Sequence, residues 1–329
     1  MLFISCRSDN SIQRDFNFLH GATLIDDEAP ERILKKDVYK KTKKVDIPPY
    51  VGNLRELAVD GDTIYFSDTE SVYRYFDGEF KIAFTPDKGR GPMEVPQIFR
   101  FDIRNNIIVI SGYPDLRLLI HNLTSGDSKL LESEYRGHVL VDKYSNIYGD
   151  NSSNLSEMMF TKFSSVGDSL KSFGSLFENQ YRSLNMFDLY WSYNSKHDLI
   201  FIGFMYVGYH VALTTDGEVK YSMHSIHHPG RYPVITTQGG YRFVDDGGIS
   251  ILRQLTTAND ELHVYTAHAA DKKGEYYGAL VEVFDVPTGK YKFSCVLDEV
   301  LHWPILLLED YGLVAVNQDY EMVFWERNQ

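Results

Sequence analysis

The chain has 329 residues, of which 43% are hydrophobic and 24% charged, so it can bury a sizeable core and is not intrinsically disordered. Its formal net charge of −13 argues against nucleic-acid binding, because a polyanion would be repelled. Aromatic residues reach 14%, with 23 Tyr and 20 Phe, and this content favours strands over helices, because aromatic side chains suit a half-buried pleated surface.

The N-terminal stretch MLFISC resembles the end of a bacterial lipoprotein signal, in which apolar residues and a small residue precede the cysteine that receives the lipid. A complete signal needs a basic start and an apolar run of about seven to fifteen residues, and this stretch is shorter. Either translation starts further upstream, which we favour, or the resemblance is accidental. We therefore predict Cys6 as a lipidation site and residues 1–24 as a signal remnant and tether, followed by one domain at 25–329.

Six degenerate repeats follow along the chain. Each begins with an apolar strand, a tight polar turn and a second strand rich in β-branched and aromatic residues. A second hairpin comes next, and its turn contains glycine in five of the six repeats, most clearly at Asp77-Gly78 and Asp216-Gly217. Two hairpins make a four-stranded antiparallel blade, so the repeats predict an all-β fold, a six-bladed β-propeller. The equivalent positions where the second strand begins are Ile64, Ile107, Ile147, Leu199, Leu262 and Leu313.

The sixth repeat ends one strand short, near Trp325. A closed propeller needs this missing outer strand from the other end of the chain, and the alternating stretch VYKKTKKVDIP at residues 38–48 precedes the first repeat. We predict that this stretch completes the sixth blade and so removes a pair of exposed strand edges. Its lysines, interrupted by Asp37 and Asp46, are expected on a solvated strand face.

The stretch DKGRGPMEV, residues 87–95, follows the first repeat. A phosphate-binding glycine loop would need a helix N-terminus after it, whereas the strand IFRFDI follows here. We therefore predict a joint between the first two blades, with positive φ at Gly89 and Gly91 and with Arg90 at the rim of the axial face.

This joint, the lead-in ERILKKDVYKKTKKVDIP and the strand pair DGDTIYFSD together resemble the six-bladed β-propeller lipoproteins of Gram-negative gut bacteria, distant relatives of the NHL-repeat propellers. That family commonly has K-G-x-G-P-G-E followed by an aromatic residue, and this chain has Met93 and Val95 in place of the last Gly and the aromatic residue. The resemblance implies a propeller that is lipid-anchored to the bacterial outer membrane, in the periplasm or on the cell surface. It implies no particular activity, because propellers host both enzymes and binding modules.

Propeller topology places the connections between blades and the loops between second and third strands on one face, which we call the loop-rich face. The long segments of this chain fall there, and long loops on a rigid scaffold are where binding concentrates. Tyr and Trp offer rigid rings with polar tips, and Arg pairs with carboxylates or hydroxyls; for any single ring the alternative is packing between blades. The ligand-binding candidates are Arg90, Arg182, Trp191, Tyr206, Tyr209, Arg231, Tyr232, Tyr276 and Tyr277.

Histidines from different blades are candidates for the axial channel, where lyases related to the NHL propellers bind metal through histidine. No HExxH or G-x-S-x-G motif accompanies them, so we predict no cofactor, and a structural cation in the channel stays open as an alternative. Cys295, in the alternating stretch KYKFSCVLD, is expected to be a small buried core residue. The channel candidates are His138, His263, His268 and His302.

Two functional hypotheses follow from these patterns. The first is a monomeric extracytoplasmic propeller that binds a carbohydrate, peptide or protein partner on its loop-rich aromatic face and meets the membrane only through a lipid anchor. The second is a lyase or hydrolase of sugar or peptide substrates, in which channel His, Tyr and Arg residues supply acid and base groups. Three or more His, Asp or Glu side chains converging at the axis would favour the enzyme, and an apolar plug beneath an aromatic groove would favour binding.

Overall fold

The fold is all-β, as the sequence predicts. Every regular element that the computed structural model describes is a strand, and the same residues contain no helix that could cross a membrane. The described residues are 32–91, 93–114, 117–131, 137–150, 160–174, 189–204, 209–226, 235–238, 241–244, 254–266, 279–299 and 301–328.

The first three blades are four-stranded antiparallel sheets whose strands are neighbours in chain order, from the axis outwards. Two strands that precede them, β1 (Leu34–Lys35) and β2 (Tyr39–Asp46), belong to later blades. The strands of blades 1 to 3 are β3 (Glu56–Asp60), β4 (Thr63–Ser67), β5 (Val72–Phe76), β6 (Glu79–Phe84), β7 (Ile98–Arg104), β8 (Ile107–Gly112), β9 (Leu118–Asn122), β10 (Ser128–Leu131), β11 (Val139–Val141), β12 (Ile147–Asp150), β13 (Phe160–Phe163) and β14 (Ser169–Phe173).

The last three blades repeat this order, and a separate two-stranded hairpin, β19 with β20, lies between blades 4 and 5 in the chain. The strands are β15 (Leu189–Asn194), β16 (Leu199–Phe204), β17 (Tyr209–Thr214), β18 (Val219–His224), β19 (Ile235–Gln238), β20 (Tyr241–Val244), β21 (Gln254–Ala258), β22 (Glu261–Thr266), β23 (Ala279–Asp285), β24 (Tyr291–Leu297), β25 (Leu301–Leu307), β26 (Leu313–Asn317) and β27 (Glu321–Arg327).

The six blades form a closed ring. Each innermost strand contacts the innermost strand of the next blade, in the order β3, β7, β11, β15, β21, β25 and back to β3. Each junction between blades holds its own apolar cluster, because the two faces of every blade alternate apolar residues towards both neighbours. The six-bladed propeller is therefore confirmed, and the six equivalent positions named above all lie in second strands.

The N-terminal stretch closes the ring, as predicted. Strand β2 pairs antiparallel with β27 as the outer strand of the sixth blade, with Lys43 opposite Phe324. Lys40, Lys43 and Lys44 are exposed, as predicted, and Lys41 is half-buried. The Lys41 Nζ lies 2.6 Å from Glu299 Oε2, and the Lys43 Nζ donates to the Tyr75 hydroxyl at 2.6 Å. The closing strand is thus tied to two blades by side chains as well as by its backbone.

Strand β1 has a place that the sequence did not predict. It pairs in parallel with β24 as a fifth, outermost strand of blade 5, with Leu34 opposite Ser294. The Arg32 guanidinium next to it donates to the buried Glu282 at 3.0 Å. The chain therefore crosses from blade 5 to blade 6 before it enters the first repeat.

The glycine-rich joint connects β6 to β7 and no helix follows it, which confirms a joint between blades. Gly89 has φ of 145°, as expected, but Gly91 does not lie in the left-handed region. Position 91 requires glycine for a different reason. Its N–H donates to Glu94 Oε2 at 2.7 Å, and a Cβ at this position would lie 2.8 Å from Glu94 Cδ. The side chain of Glu94 therefore fills the space that Gly91 leaves open.

Candidate functional site

A cavity of about 100 Å³ lies on the propeller axis, and we call it the axial cavity. Side chains from or beside all six innermost strands line it, so it exists only in the closed ring. Its lining is mixed, because charged and aromatic groups alternate with aliphatic ones. The lining residues used below are Glu56, Arg100, Asp102, Arg104, His138, Tyr190, Trp191 and Tyr193.

Arg100 is the central cation of the axial cavity. Its Nη1 donates to Glu56 Oε1 on the neighbouring blade, and its guanidinium lies 5.7 Å from the ring centre of Tyr190. Burial by itself would lower the pKa of Arg100, but Glu56 and Tyr190 outweigh burial and raise that pKa. Arg100 therefore stays charged and is held between blades 1, 2 and 4.

Asp102 lies two residues further along β7 and has a shifted pKa. Burial raises the pKa of Asp102 to about 6, although the nearby charge of Arg104 and two backbone N–H groups lower it. Those N–H groups belong to Val141, at 2.7 Å from Oδ2, and Ile103, at 2.8 Å from Oδ1. The carboxyl group of Asp102 therefore exchanges its proton close to neutral pH.

His138 and Trp191 complete the polar part of the wall. The His138 Nδ1 lies 3.5 Å from Asp150 Oδ2, and its ring meets Tyr190 edge to face at 6.0 Å. Trp191 packs against Phe160 at 5.3 Å between ring centres. The His138 Nε2, the Trp191 Nε1 and the Arg100 Nε are all buried and have no hydrogen-bond partner among the described residues. Less than 1 Å² of each of these nitrogens is accessible, so they lie behind the surface of the wall.

The structure brings two of the sequence-predicted residues, His138 and Trp191, to the axial cavity. Arg90 lies elsewhere, exposed on the joint, where its backbone carbonyl accepts from Arg117 Nη2 at 3.2 Å. His263 is not a channel residue. It lies in β22, fully buried between blades 5 and 6, and its Nε2 is 3.1 Å from Glu261 Oε2. Its position in a second strand turns it towards the next blade and away from the axis.

The other candidates have no described side chain. Tyr209 lies in β17 and His302 in β25, but only their backbone is described. The remaining ones lie outside the described residues, and these are Cys6, Arg182, Tyr206, Arg231, Tyr232, His268, Tyr276 and Tyr277.

Sequence reasoning missed the charged residues of the axial cavity. Arg100, Asp102 and Arg104 alternate along FRFDIR, so they share one side of an innermost strand, and this alternation was the signal that could have found them. It also missed three exposed tyrosines in loops of the loop-rich face. Tyr50, before β3, is 59% exposed, Tyr113, after β8, is 52% exposed, and Tyr320, before β27, is 39% exposed.

Within the described ranges, no group of three or more His, Cys, Asp or Glu side chains could hold a metal ion. The Cys295 thiol is buried, as expected for a core residue, and burial raises its pKa to about 12.

Fold and site together define a six-bladed β-propeller with a polar cavity on its axis. No protein-family model and no curated protein matches the chain. Solved structures share its fold. A Bacteroides fragilis protein predicted to be exported has 11% identity and a TM-score of 0.57, over 93% of this chain and 100% of its own. A DUF4221 family member from Bacteroides vulgatus has 10% identity and a TM-score of 0.56, over 89% and 99%.

A third solved structure is a streptogramin B lyase, with 9% identity and a TM-score of 0.52, over 88% of this chain and 98% of its own. At such identities the likeness concerns the fold alone, because one propeller fold carries many unrelated activities.

Proposed function

We propose that this protein is an extracytoplasmic binding propeller that holds a carbohydrate, peptide or protein partner at its loop-rich face, with the axial cavity as the central anchor. The observation that carries the proposal is the wall of that cavity, where Arg100, His138 and Trp191 come together from three blades. A concave site with aromatic walls and a few convergent polar groups is the usual form of a ligand site.

Exposed rings around the loop-rich face support the same function. Tyr50, Tyr113 and Tyr320 come from blades 1, 2 and 6 and present their rings to solvent. Tyrosine loses little conformational entropy on binding, so an exposed ring on a rigid loop suits ligand contact. The remaining sequence-predicted candidates would extend this surface, and Arg90 would add a cation at its edge. These candidates are Arg182, Arg231, Tyr206, Tyr209, Tyr232, Tyr276 and Tyr277.

A location outside the cytoplasm is part of the proposal. The lipoprotein-like stretch before Cys6 supports it, and the Bacteroides fragilis structure of the same fold belongs to a protein predicted to be exported. Mass spectrometry of the product expressed with its upstream sequence should find an acylated Cys6. An unmodified Cys6 on a cytosolic product would rule out the anchor.

The binding function is tested on glycan and peptide arrays, followed by calorimetry on the strongest ligand. Tyr113→Ala should weaken binding about tenfold, the size of one lost aromatic contact. Tyr144→Ala is the matched control, because Tyr144 is 64% exposed but lies in a tight turn of the opposite face. If no ligand class binds, or if both variants weaken binding equally, the loop-rich face is not the site.

Asp102 favours one second candidate, a lyase or hydrolase of sugar or peptide substrates. A carboxyl group with a pKa of about 6 inside a cavity is suited to act as a general base near neutral pH. A streptogramin B lyase shares the fold. If a substrate from the arrays is turned over, the rate should fall as pH drops below about 6 and Asp102→Asn should abolish it. Turnover that survives Asp102→Asn would exclude this role.

A further inference from the structure

We infer that the end of the axial cavity around Arg104 binds a small aliphatic carboxylate, and that Asp102 takes up a proton when this ligand binds. The inference goes beyond the proposed function, because this end of the cavity lies away from the loop-rich face. Its basis is the depth at which the charged groups lie, the accessible nitrogens of Arg104 and the volume of the cavity.

The direction of β7 places the two arginines of the axial cavity at different depths. The strand follows the joint on the loop-rich face and ends at Arg104, just before the tight turn at Asn105-Asn106. Arg100 therefore lies in the half nearer the loop-rich face, where Glu56 pairs with it. Arg104 lies about 13 Å further along the strand. We call the part of the cavity around Arg104 its tight-turn end.

Arg104 offers two guanidinium nitrogens to a ligand at the tight-turn end. Its Nε donates to the Val141 carbonyl at 3.3 Å, and its guanidinium carbon lies 5.5 Å from the ring centre of Tyr193. Its Nη1 and Nη2 have no hydrogen-bond partner among the described residues. Neither of them is a fully buried atom, and the side chain is only partly buried, so a ligand can reach both. Two N–H groups of a guanidinium match the two oxygens of a carboxylate.

Asp102 supplies the negative charge that such a ligand would replace. Its two oxygens accept from the backbone N–H groups of Ile103 and Val141, and neither forms an ion pair with Arg104. Burial raises the pKa of Asp102 to about 6, against the charge of Arg104. Two carboxylates beside one arginine repel each other, so one of them binds a proton. Asp102 is already close to protonation at neutral pH and is therefore the group that gives up its charge.

The other charged groups around Asp102 have partners of their own. Glu56 raises the pKa of Asp102 but is itself paired with Arg100, and His138 faces Asp150. Among the described residues, β21 and β25 contribute only uncharged side chains to the lining. The charged and titratable residues that line the cavity are Glu56 on β3, Arg100, Asp102 and Arg104 on β7, His138 before β11, and Tyr190 and Tyr193 on β15.

Volume and lining limit the ligand to a small aliphatic acid. The cavity of about 100 Å³ has room for roughly seven to ten water-sized groups. Propionate and butyrate are smaller than this limit, whereas a sugar acid exceeds it. Val59, Tyr193 and Leu307 line the cavity near the ends of their innermost strands, at the depth of Arg104. They provide apolar surface for the alkyl part of the ligand.

Calorimetry on the whole protein tests the ligand with propionate and its neutral isostere propionamide. Propionate should bind at least tenfold more tightly than propionamide at pH 6, because only propionate pairs with the Arg104 guanidinium. Equal binding of the two, or no binding of propionate, would overturn the inference. Inorganic phosphate that binds as tightly as propionate would overturn the carboxylate as the ligand class. None of these outcomes bears on the loop-rich face, whose ligands are tested separately.

The same titrations test the proton. The bound state holds one more proton than the free state, so propionate affinity should rise as pH falls from 7.5 to 6, by up to about tenfold per pH unit. At pH 7 the apparent binding enthalpy should differ between imidazole and PIPES buffers, because the buffer supplies the proton. An affinity that does not change with pH, or an enthalpy that does not change with buffer, would overturn the role of Asp102.

Variants separate ligand contact from a packing role. Arg104→Gln should weaken propionate binding at least tenfold, and Asp102→Asn should strengthen it at pH 7.5 and abolish its dependence on pH and buffer. A merely structural Asp102 would instead give weaker binding. Arg74→Gln is the matched control, because Arg74 is exposed in β5 and does not line the cavity. Unchanged affinity in folded Arg104→Gln would overturn the inference. If a variant fails to fold, the wild-type titrations still decide.

Discussion

Replacing Glu261 with Gln removes the negative charge that joins the fifth and sixth blades. Glu261 is 3% exposed and accepts from three donors: His263 Nε2 at 3.1 Å, Lys292 Nζ at 2.5 Å and Arg327 Nη1 at 2.6 Å. Lys292 lies in β24 of blade 5, whereas Arg327 lies in β27, the strand that pairs with the closing strand. The substitution therefore loosens the seam at which the two ends of the chain meet.

The loss of stability in Glu261→Gln depends on how deeply each partner of Glu261 is buried. Removing one member of a fully buried ion pair costs about 3–5 kcal/mol. The side chains of Lys292 and Arg327 are 37% and 26% exposed, so water compensates part of the loss. We therefore expect Glu261→Gln to lower the free energy of unfolding by about 2–3 kcal/mol at pH 7.

The same network predicts how stability depends on pH. Burial alone would raise the pKa of Glu261, but hydrogen bonds from His263, Arg327 and Lys292 outweigh burial and hold its pKa well below the usual range. A carboxylate with a depressed pKa stabilises the fold above its unfolded pKa, near 4.3, and this stability is lost as pH falls below that value. Burial lowers the pKa of His263, so stability also falls as pH drops below about 6.5.

Urea denaturation at pH 7.5, 5.5 and 3.5 checks both statements. The wild type should lose stability at each step, and Glu261→Gln should lose less than the wild type between pH 5.5 and 3.5, because one of the carboxylates with a depressed pKa is absent. Glu326→Gln is the control, since Glu326 is exposed in β27, next to Arg327. An equal acid loss in the wild type and Glu261→Gln, or a cost below about 0.5 kcal/mol as for an ordinary surface change, would refute the role of this carboxylate.

Two further predictions concern a pair of glycines and the titration of Asp102. Gly78 and Gly217 lie in equivalent hairpin turns with φ of 82° and 85°, but a Cβ meets no atom at Gly78 and collides with the Phe173 ring at Gly217. In urea denaturation Gly78→Ala should therefore cost about 1 kcal/mol and Gly217→Ala at least about 2 kcal/mol, and equal costs would contradict the steric argument. Carboxyl NMR should give Asp102 a pKa near 6, and Arg104→Gln should raise that pKa further; a pKa in the range of exposed aspartates would contradict the burial of this group.

Much of the fold could be predicted because its signals are local. The turn at Asp77-Gly78 and the alternation around it define a hairpin within a few residues, and six such units determine the number of blades. The closing strand also followed from counting, since the sixth repeat lacks one strand and residues 38–48 alternate. These inferences need only the alternation of side chains along a strand and the rule that the blades of a propeller form a closed ring.

The rest depends on side-chain contacts that appear only in the folded chain. Positive φ was predicted at Gly91, but the structure shows another reason for glycine there. The side chain of Glu94 occupies the space that a Cβ of residue 91 would need, and the sequence does not reveal this contact. His263 was assigned to the channel although it follows Leu262, where a second strand begins, and its side chain packs between blades 5 and 6. Arg100 and Glu56 are 44 residues apart and meet only at the axis, so their pairing becomes visible once the ring is built.

The strand that closes the ring also sets the order in which the molecule can be completed. Thr42 and Phe324 are neighbours in the sixth blade although 282 residues separate them. During synthesis β2 emerges from the ribosome early and has no partner until β27, the last described strand, has followed it. Because the axial cavity needs every innermost strand, a nascent chain that lacks β25 cannot hold a ligand there. Occupancy of the cavity would therefore report that all six innermost strands are in place.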